Sequence, residues 1–187
     1  MLFTIYLFTF APQNFVTVKK ALREYDVEFG GLEMGEHCFD FEVNKEFFIL
    51  FEYSEITEGN IKVKLKLLKD EGLMVIEFDL QGEVNIICDR CADYYTQGIN
   101  KSYRLIIKTT EKNNEDKDND DVVYISPKDY QVNVASYIYE YINLALPMRK
   151  VHPHEEDCNQ EVIQKLLEQE EQEKIDPRWE ALKKIKN

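Results

Sequence analysis

The stretch that most restricts the fold is residues 61–80. Ile61, Val63, Leu65 and Leu67 alternate with Lys62, Lys64 and Lys66. After Lys69-Asp70-Glu71-Gly72, Met74, Ile76, Phe78 and Leu80 alternate with Glu77 and Asp79 among the intervening residues. A period of two puts apolar residues on one face of a strand and charges on the other. Two such runs around a glycine-containing turn predict an antiparallel β-hairpin over Ile61–Leu80. A turn of two or four residues places Lys64 opposite Glu77, Lys62 opposite Asp79, Val63 opposite Phe78 and Leu65 opposite Ile76. A one-residue slip would mix the faces, so the pattern specifies the register. Each exposed Lys–acid pair contributes no more than about 1 kcal/mol.

Alternation continues on both sides. Tyr25, Val27 and Phe29 precede a Gly30-Gly31 break, and Phe39, Phe41 and Val43 follow it. The apolar run Glu46–Phe51 fits either a strand or a short buried helical turn. Gly82 bends the chain, after which Val84, Ile86 and Cys88 alternate. Tyr103, Leu105 and Ile107 mark a further strand, and Val122–Ile125 a short one. Between them, EKNNEDKDNDD (111–121) has no apolar residue and reads as a solvated loop. Asn133 is placed to cap a helix running to about Leu146. Val134, Tyr137, Ile138, Tyr141, Ile142 and Ala145 form its apolar stripe, and Ser136, Glu140 and Asn143 its wet side. Pro147 ends it. A second helix from about Gln160 buries Val162, Ile163, Leu166 and Leu167 before turning polar. Asp176-Pro177 is a helix start, with Trp179, Leu182 and Ile185 at helical spacing.

These elements predict an α+β fold: a curved, barrel-like antiparallel sheet, one packed helix and a C-terminal helical tail. The expected divisions are an N-terminal extension over 1–21, a β-rich domain over 22–158 and an acidic tail over 159–187. The opening MLFTIYLFTF is apolar but lacks a basic leader and a small-residue cleavage site. It is read as a mis-called upstream start or an edge strand, and the protein as cytoplasmic. No apolar run reaches the ~18 residues of a membrane helix.

The net charge of -13 argues against gripping nucleic acid through overall charge, which relies on many Lys/Arg–phosphate contacts. The acidity is concentrated, however. Residues 111–121 hold six acids and two lysines, and residues 155–173 eight acids and one lysine. The remaining chain is near neutral, so RNA contact stays open for Lys62, Lys64, Lys66, Arg90, Lys101, Arg104 and Lys108, with Arg149 and Lys150. Tyr94, Tyr95 and Tyr103 are candidate base-stacking residues. The alternative is that these are ordinary surface charges and core aromatics.

Four cysteines in a chain of this length are no disulfide framework. Cys38 reads as a small buried hydrophobe. Cys88 and Cys91 flank Asp89-Arg90, a spacing that lets one turn aim two thiolates at one ion. His152 or His154, with Cys158, would supply the second pair. The gap of about sixty residues is long for a zinc finger, so the fold must bring the loop to the strand end. A metal-free dithiol and a redox pair remain as alternatives. The redox reading suffers because the Cys pair lies between strands rather than at a helix start. With two Cys, one His and one Cys in the shell, zinc would be structural, since a catalytic site keeps an open position. No P-loop, dinucleotide-type glycine turn or nucleophile elbow occurs.

The strand into C-D-R-C, the helix VASYIYEYINLALPM, the following V-H with its later Cys, and the terminal DPRWEALKKI together resemble the YceD family. These are bacterial proteins named for accumulation of large-subunit ribosomal RNA, and the details are most similar to the Bacteroidetes branch. The resemblance spans about Leu22 to Lys186. It implies a role in large-subunit rRNA synthesis, processing or stability, and so in ribosome biogenesis, with no known reaction. With the charge runs, the expected function is a non-enzymatic factor that binds that rRNA or a basic ribosomal protein. A zinc-dependent nuclease or hydrolase, or a zinc-stabilised protein-interaction adaptor, are the competing classes. Cys88, Cys91 and Cys158 match the family's cysteines, and His152 matches better than His154. Asp176, Pro177, Arg178 and Trp179 fall in the terminal motif, to which the resemblance attaches no role. Residues 1–20 have no counterpart.

Overall fold

The computed structural model of the chain describes residues 20–110 and 122–172. Residues 1–19 of the N-terminal extension, the acidic segment 111–121 and the terminal DPRW motif lie outside them. Contacts divide the protein into two compact units. The first takes the described residues up to Asn85 and from Thr96 to Pro147; the second takes Ile86–Tyr95 and the residues from Met148 onward.

In the first unit a 3-10 turn, Leu22–Tyr25, leads into β1 (Asp26–Glu28). Then come β2 (Gly35–Val43), α1 (Lys45–Ile49), β3 (Glu58–Asp70) and β4 (Leu73–Ile87). After the hairpin tip follow β5 (Tyr94–Thr109), β6 (Val122–Ile125), β7 (Gln131–Asn133) and α2 (Ala135–Ala145). The main sheet runs β2-β3-β4-β5-β6, and β1 pairs with β7 as a separate ribbon. The α+β class holds. Among the described residues the sheet is not closed into a barrel: β2 and β6 stand at its edges. Nor is it wholly antiparallel, because β6 pairs parallel to β5, with Ile106 against Val122. Parallel neighbours need a long connection, and β5 ends at Thr109 while β6 starts at Val122.

The Ile61–Leu80 hairpin is present with a register two residues from the expected one. Lys64 stands opposite Asp79, Leu65 opposite Phe78, Val63 opposite Leu80 and Lys66 opposite Glu77. Asp70 pairs with Leu73, which puts Glu71-Gly72 at the turn. Gly72 takes φ +71°, a left-handed conformation that glycine adopts without the Cβ penalty. That conformational demand moves the turn one step along, and the pairing by two. A shift of two preserves the faces, so Ile61, Val63, Leu65 and Leu67 remain buried.

Gly82 does not interrupt β4, which runs unbroken through it. Its role is close approach: a Cβ there would collide with the Asn60 carbonyl and the Ile61 Cα. Gly82→Ala is expected to lower the unfolding free energy by about 3 kcal/mol, the upper end for overpacking. A urea titration checks it; an unchanged midpoint would count against the packing described.

Glu46–Phe51 resolves as helical. Asn44 Oδ1 accepts from the Phe47 N–H at 3.3 Å, capping α1. This buries Phe47 and Phe48 at 1% exposure each. The N-cap of α2 is Val134, which makes no side-chain cap bond, rather than Asn133; Asn133 ends β7 and its Oδ1 accepts from the Ala135 N–H at 3.1 Å. Leu146, before Pro147, is extended and ends it. Tyr141 of α2 stacks on Tyr103 at 4.7 Å and meets Phe78 edge-on at 5.1 Å. Cys38 is exposed rather than buried. It belongs to the alternate set of β2 that carries Glu36, Asp40 and Glu42, while Phe39 and Phe41 lie on the other side.

Candidate metal centre

In the second unit, β4 ends at Ile87 and the chain makes a tight turn before β5. Cys88 N–H donates to the Asp93 carbonyl at 2.8 Å, and Ala92 N–H to the Cys88 carbonyl at 2.9 Å. The Arg90 N–H then donates to Cys88 Sγ at 3.4 Å. The turn forces Ala92, a residue with a Cβ, to φ 62°. A left-handed alanine costs roughly 1–2 kcal/mol. Ala92→Gly is therefore expected to raise stability by up to about 1 kcal/mol, after the extra freedom it gives the unfolded chain. Ala92→Val should lower stability. Chemical denaturation of both variants tests the pair; stabilisation by Val would contradict the turn geometry.

The segment after α2 joins this turn through a reciprocal pair of bonds. Asp89 N–H donates to the Lys150 carbonyl at 2.6 Å, and Lys150 N–H to Asp89 Oδ2 at 2.7 Å. A 3-10 turn, Glu155–Asp157, delivers Cys158. Helix α3 (Gln160–Gln172) starts immediately afterwards. Asn159 caps α3 by accepting from the Glu161 and Val162 N–H groups at 3.1 and 3.4 Å. Its amide also donates to Asp93 at 3.1 Å.

These bonds bring Cys88, Cys91, His152 and Cys158 together. One ligand atom of each lies within 4.8 Å of all the others. His152 Nδ1 is 3.6 Å from both Cys91 Sγ and Cys158 Sγ. In a tetrahedral zinc shell, a bound sulfur and nitrogen stand about 3.6 Å apart. The spacing thus fits a metal shell, and three thiolates with one imidazole form a soft donor set. All three cysteines are buried and free, and His152 is 9% exposed. Tyr95 packs on the His152 ring at 5.2 Å. His154 is exposed and outside the cluster, so the alternative ligand is set aside.

The thiols are electrostatically unequal. Burial pushes Cys88 up, but the N–H groups of Arg90, His152 and Cys91, with the His152 ring, outweigh it and bring the thiol down to about 6. Burial, with hydrogen bonds to Cys91 and Cys88 and their charge, pushes Cys158 up to about 11. Concentrated thiolate charge is held back until a cation compensates it, and the Cys158 proton must leave when one binds.

The candidate RNA-contact residues lie on several elements. Lys62, Lys64 and Lys66 are exposed together on β3. They lie between Glu36, Asp40 and Glu42 of β2 and Glu77 and Asp79 of β4. Lys66 pairs with Glu36 at 3.1 Å and Arg104 with Glu77 at 3.7 Å. Lys101 and Lys108 are exposed on β5, at positions of opposite parity. Arg90 is turned toward Cys158 and Glu155. Tyr103 is stacked on Tyr141 and Tyr95 is buried; Tyr94 is 54% exposed. Asp89, Ala92 and Asn159 escaped the sequence reading. Asn159 had a signal, being a cap-type residue just ahead of an amphipathic run. The conformation of Ala92 had none.

Fold and site define a small α+β protein with a buried Cys3His donor set at a hairpin end. Residues 76–186 match the family model described as Large ribosomal RNA subunit accumulation protein YceD, and the chain belongs to that family. No curated protein and no solved structure matches it.

Proposed function

We propose that the protein is a non-enzymatic factor in large-subunit rRNA accumulation that holds a basic ribosomal protein, with structural zinc in its Cys3His centre. Membership of the YceD family supports the link to large-subunit rRNA accumulation. Zinc is supported by the soft donor set and its spacing. When bound, it would cross-link the 88–91 turn to the 152–158 segment. Four protein donors fill a tetrahedral shell, which supports a structural ion over a hydrolytic one. Here Cys88, Cys91, His152 and Cys158 would only hold; no residue is assigned a proton-transfer step.

The distribution of charge supports a protein partner over RNA. The lysine row is flanked by acids on both neighbouring strands. By contrast α3 carries Glu161 and Glu168, with Leu166 and Leu167 45% and 56% exposed. The expected burial of those two leucines is thus not met among the described residues. An acidic helix presenting leucines suits a basic protein groove. Sedimentation of the tagged protein through lysate gradients tests the reading. Association with pre-large-subunit fractions is expected; absence from them, with normal rRNA on deletion, would overturn it.

A further inference from the structure

Three thiolates and a neutral imidazole around a divalent cation leave one negative charge over. With Cys88 and Cys158 at 1% and 4% exposure, that charge is screened little by water. Arg90 is placed to meet it. Its guanidinium Nη1 stands 3.6 Å from Cys158 Sγ, and its backbone N–H donates to Cys88 Sγ at 3.4 Å. One residue, itself inside the C-D-R-C turn, thereby serves two thiolates. The same Nη1 is 3.8 Å from Glu155 Oε1, but the Glu155 side chain is 73% exposed while that of Arg90 is 21% exposed. An ion pair with so exposed a partner contributes little. The guanidinium–sulfur contact is the one drawn into the protein.

We infer that Arg90 is a positioning residue of the metal centre: its guanidinium neutralises the excess thiolate charge at Cys158, holding the metal and blunting that sulfur toward electrophiles. This rests on the zinc reading above. It also removes Arg90 from the residues free to contact phosphate. A cation hydrogen-bonded to a thiolate withdraws electron density from sulfur, so a metal-bound thiolate is alkylated more slowly. In the alkylation, sulfur's lone pair adds across the maleimide double bond, the new carbanion takes a proton from water, and the thioether formed is a weak ligand. Zinc is then released.

The test uses full-length, zinc-loaded protein with Arg90→Gln, Arg90→Lys and Glu155→Gln. N-ethylmaleimide is added and zinc release is followed with a chromogenic chelator. Arg90→Gln is expected to release zinc about tenfold faster, the scale of one charge-assisted hydrogen bond. Arg90→Lys, which keeps the charge, should recover part of the protection, and Glu155→Gln should match wild type. In cobalt-substituted protein, Arg90→Gln should move the thiolate-to-metal charge-transfer band to lower energy, a shift a merely folded-state role would not produce. If Arg90→Gln does not retain zinc, restored retention in Arg90→Lys supports the inference and its absence overturns it. Zinc-bound Arg90→Gln with wild-type release and band position overturns it while leaving the zinc reading intact. Absence of zinc from wild type removes the zinc reading and this inference together.

Discussion

Removing zinc with a strong chelator, or replacing Cys88 with Ser, is expected to unfold the second unit while the five-stranded sheet persists. The reason lies in what that unit buries. Among its described residues the buried set is Ile86, Tyr95 and the four donors Cys88, Cys91, His152 and Cys158. Two apolar side chains cannot offset the ordering entropy of residues 148–158, at roughly 1–2 kcal/mol per residue. Zinc bound by small domains contributes about 10–16 kcal/mol, and that binding energy is folding energy. The first unit needs no such aid, with Phe47, Phe48, Phe78, Ile76, Ile107, Ile138 and Ile142 at most 1% exposed. Hydrogen exchange read along the chain gives the answer. Protection should vanish from 148–158 on chelation or in Cys88→Ser, and stay in β3 and β4. Protection unchanged throughout, or metal-free protein purified without chelator, would sink the zinc reading.

The period-two pattern made the central sheet legible, because one buried face leaves each strand a single choice of side. It did not make the pairing legible to the residue. Faces repeat every two positions, so registers two apart bury the same side chains. The turn had to arbitrate, and the left-handed Gly72 did so. Closure was equally hidden. Nothing in the alternation of β2 or β6 tells an edge strand from a strand sealed into a barrel. The parallel pairing of β6 was hidden too, since 111–121 has no apolar residue from which a pattern could be read. Cys38 shows the limit of composition: cysteine is usually buried, yet its place beside Phe39 and Asp40 in the alternation puts it among the charged set.

The metal centre was read more fully than the surface. Two cysteines in a turn and a V-H…C segment have few uses, so the four donors could be named from residue types and family resemblance. Choosing His152 over His154 rested on that resemblance, and burial separates them in the structure. Basic residues carry no such restriction. A lysine row looks alike whether it faces phosphate or sits between two acidic strands, and only the pairing of β2 and β4 with β3 tells the two apart. Arg90 is the sharpest case. By type it belonged with the phosphate contacts, and by position its guanidinium lies at a buried sulfur.

The partner class follows from the same contrast, and it predicts that Glu161→Lys with Glu168→Lys will release the protein from pre-large-subunit fractions. The triple variant Lys62→Ala, Lys64→Ala, Lys66→Ala should stay bound. Both glutamates are exposed on α3, so their reversal leaves the core alone. Glu161 lies in the first turn, where a lysine costs up to about 1 kcal/mol against the helix dipole. Circular dichroism would show whether the helix survives that. Against a basic groove, two reversed charges turn attraction into repulsion, and association should weaken at least about tenfold, mainly through slower encounter. The lysines, in contrast, have Glu36, Asp40, Glu42, Glu77 and Asp79 as near neighbours across the sheet. Any phosphate approaching them meets those carboxylates too, so removing the lysines should cost little. Comigration of each variant with pre-large-subunit particles decides between the classes. Should the lysine variant dissociate and the glutamate variant remain, the sheet face is an RNA-binding surface and the basic-protein partner is wrong. Loss with both variants would place the two surfaces on one composite partner and would equally refute a protein held by α3 alone.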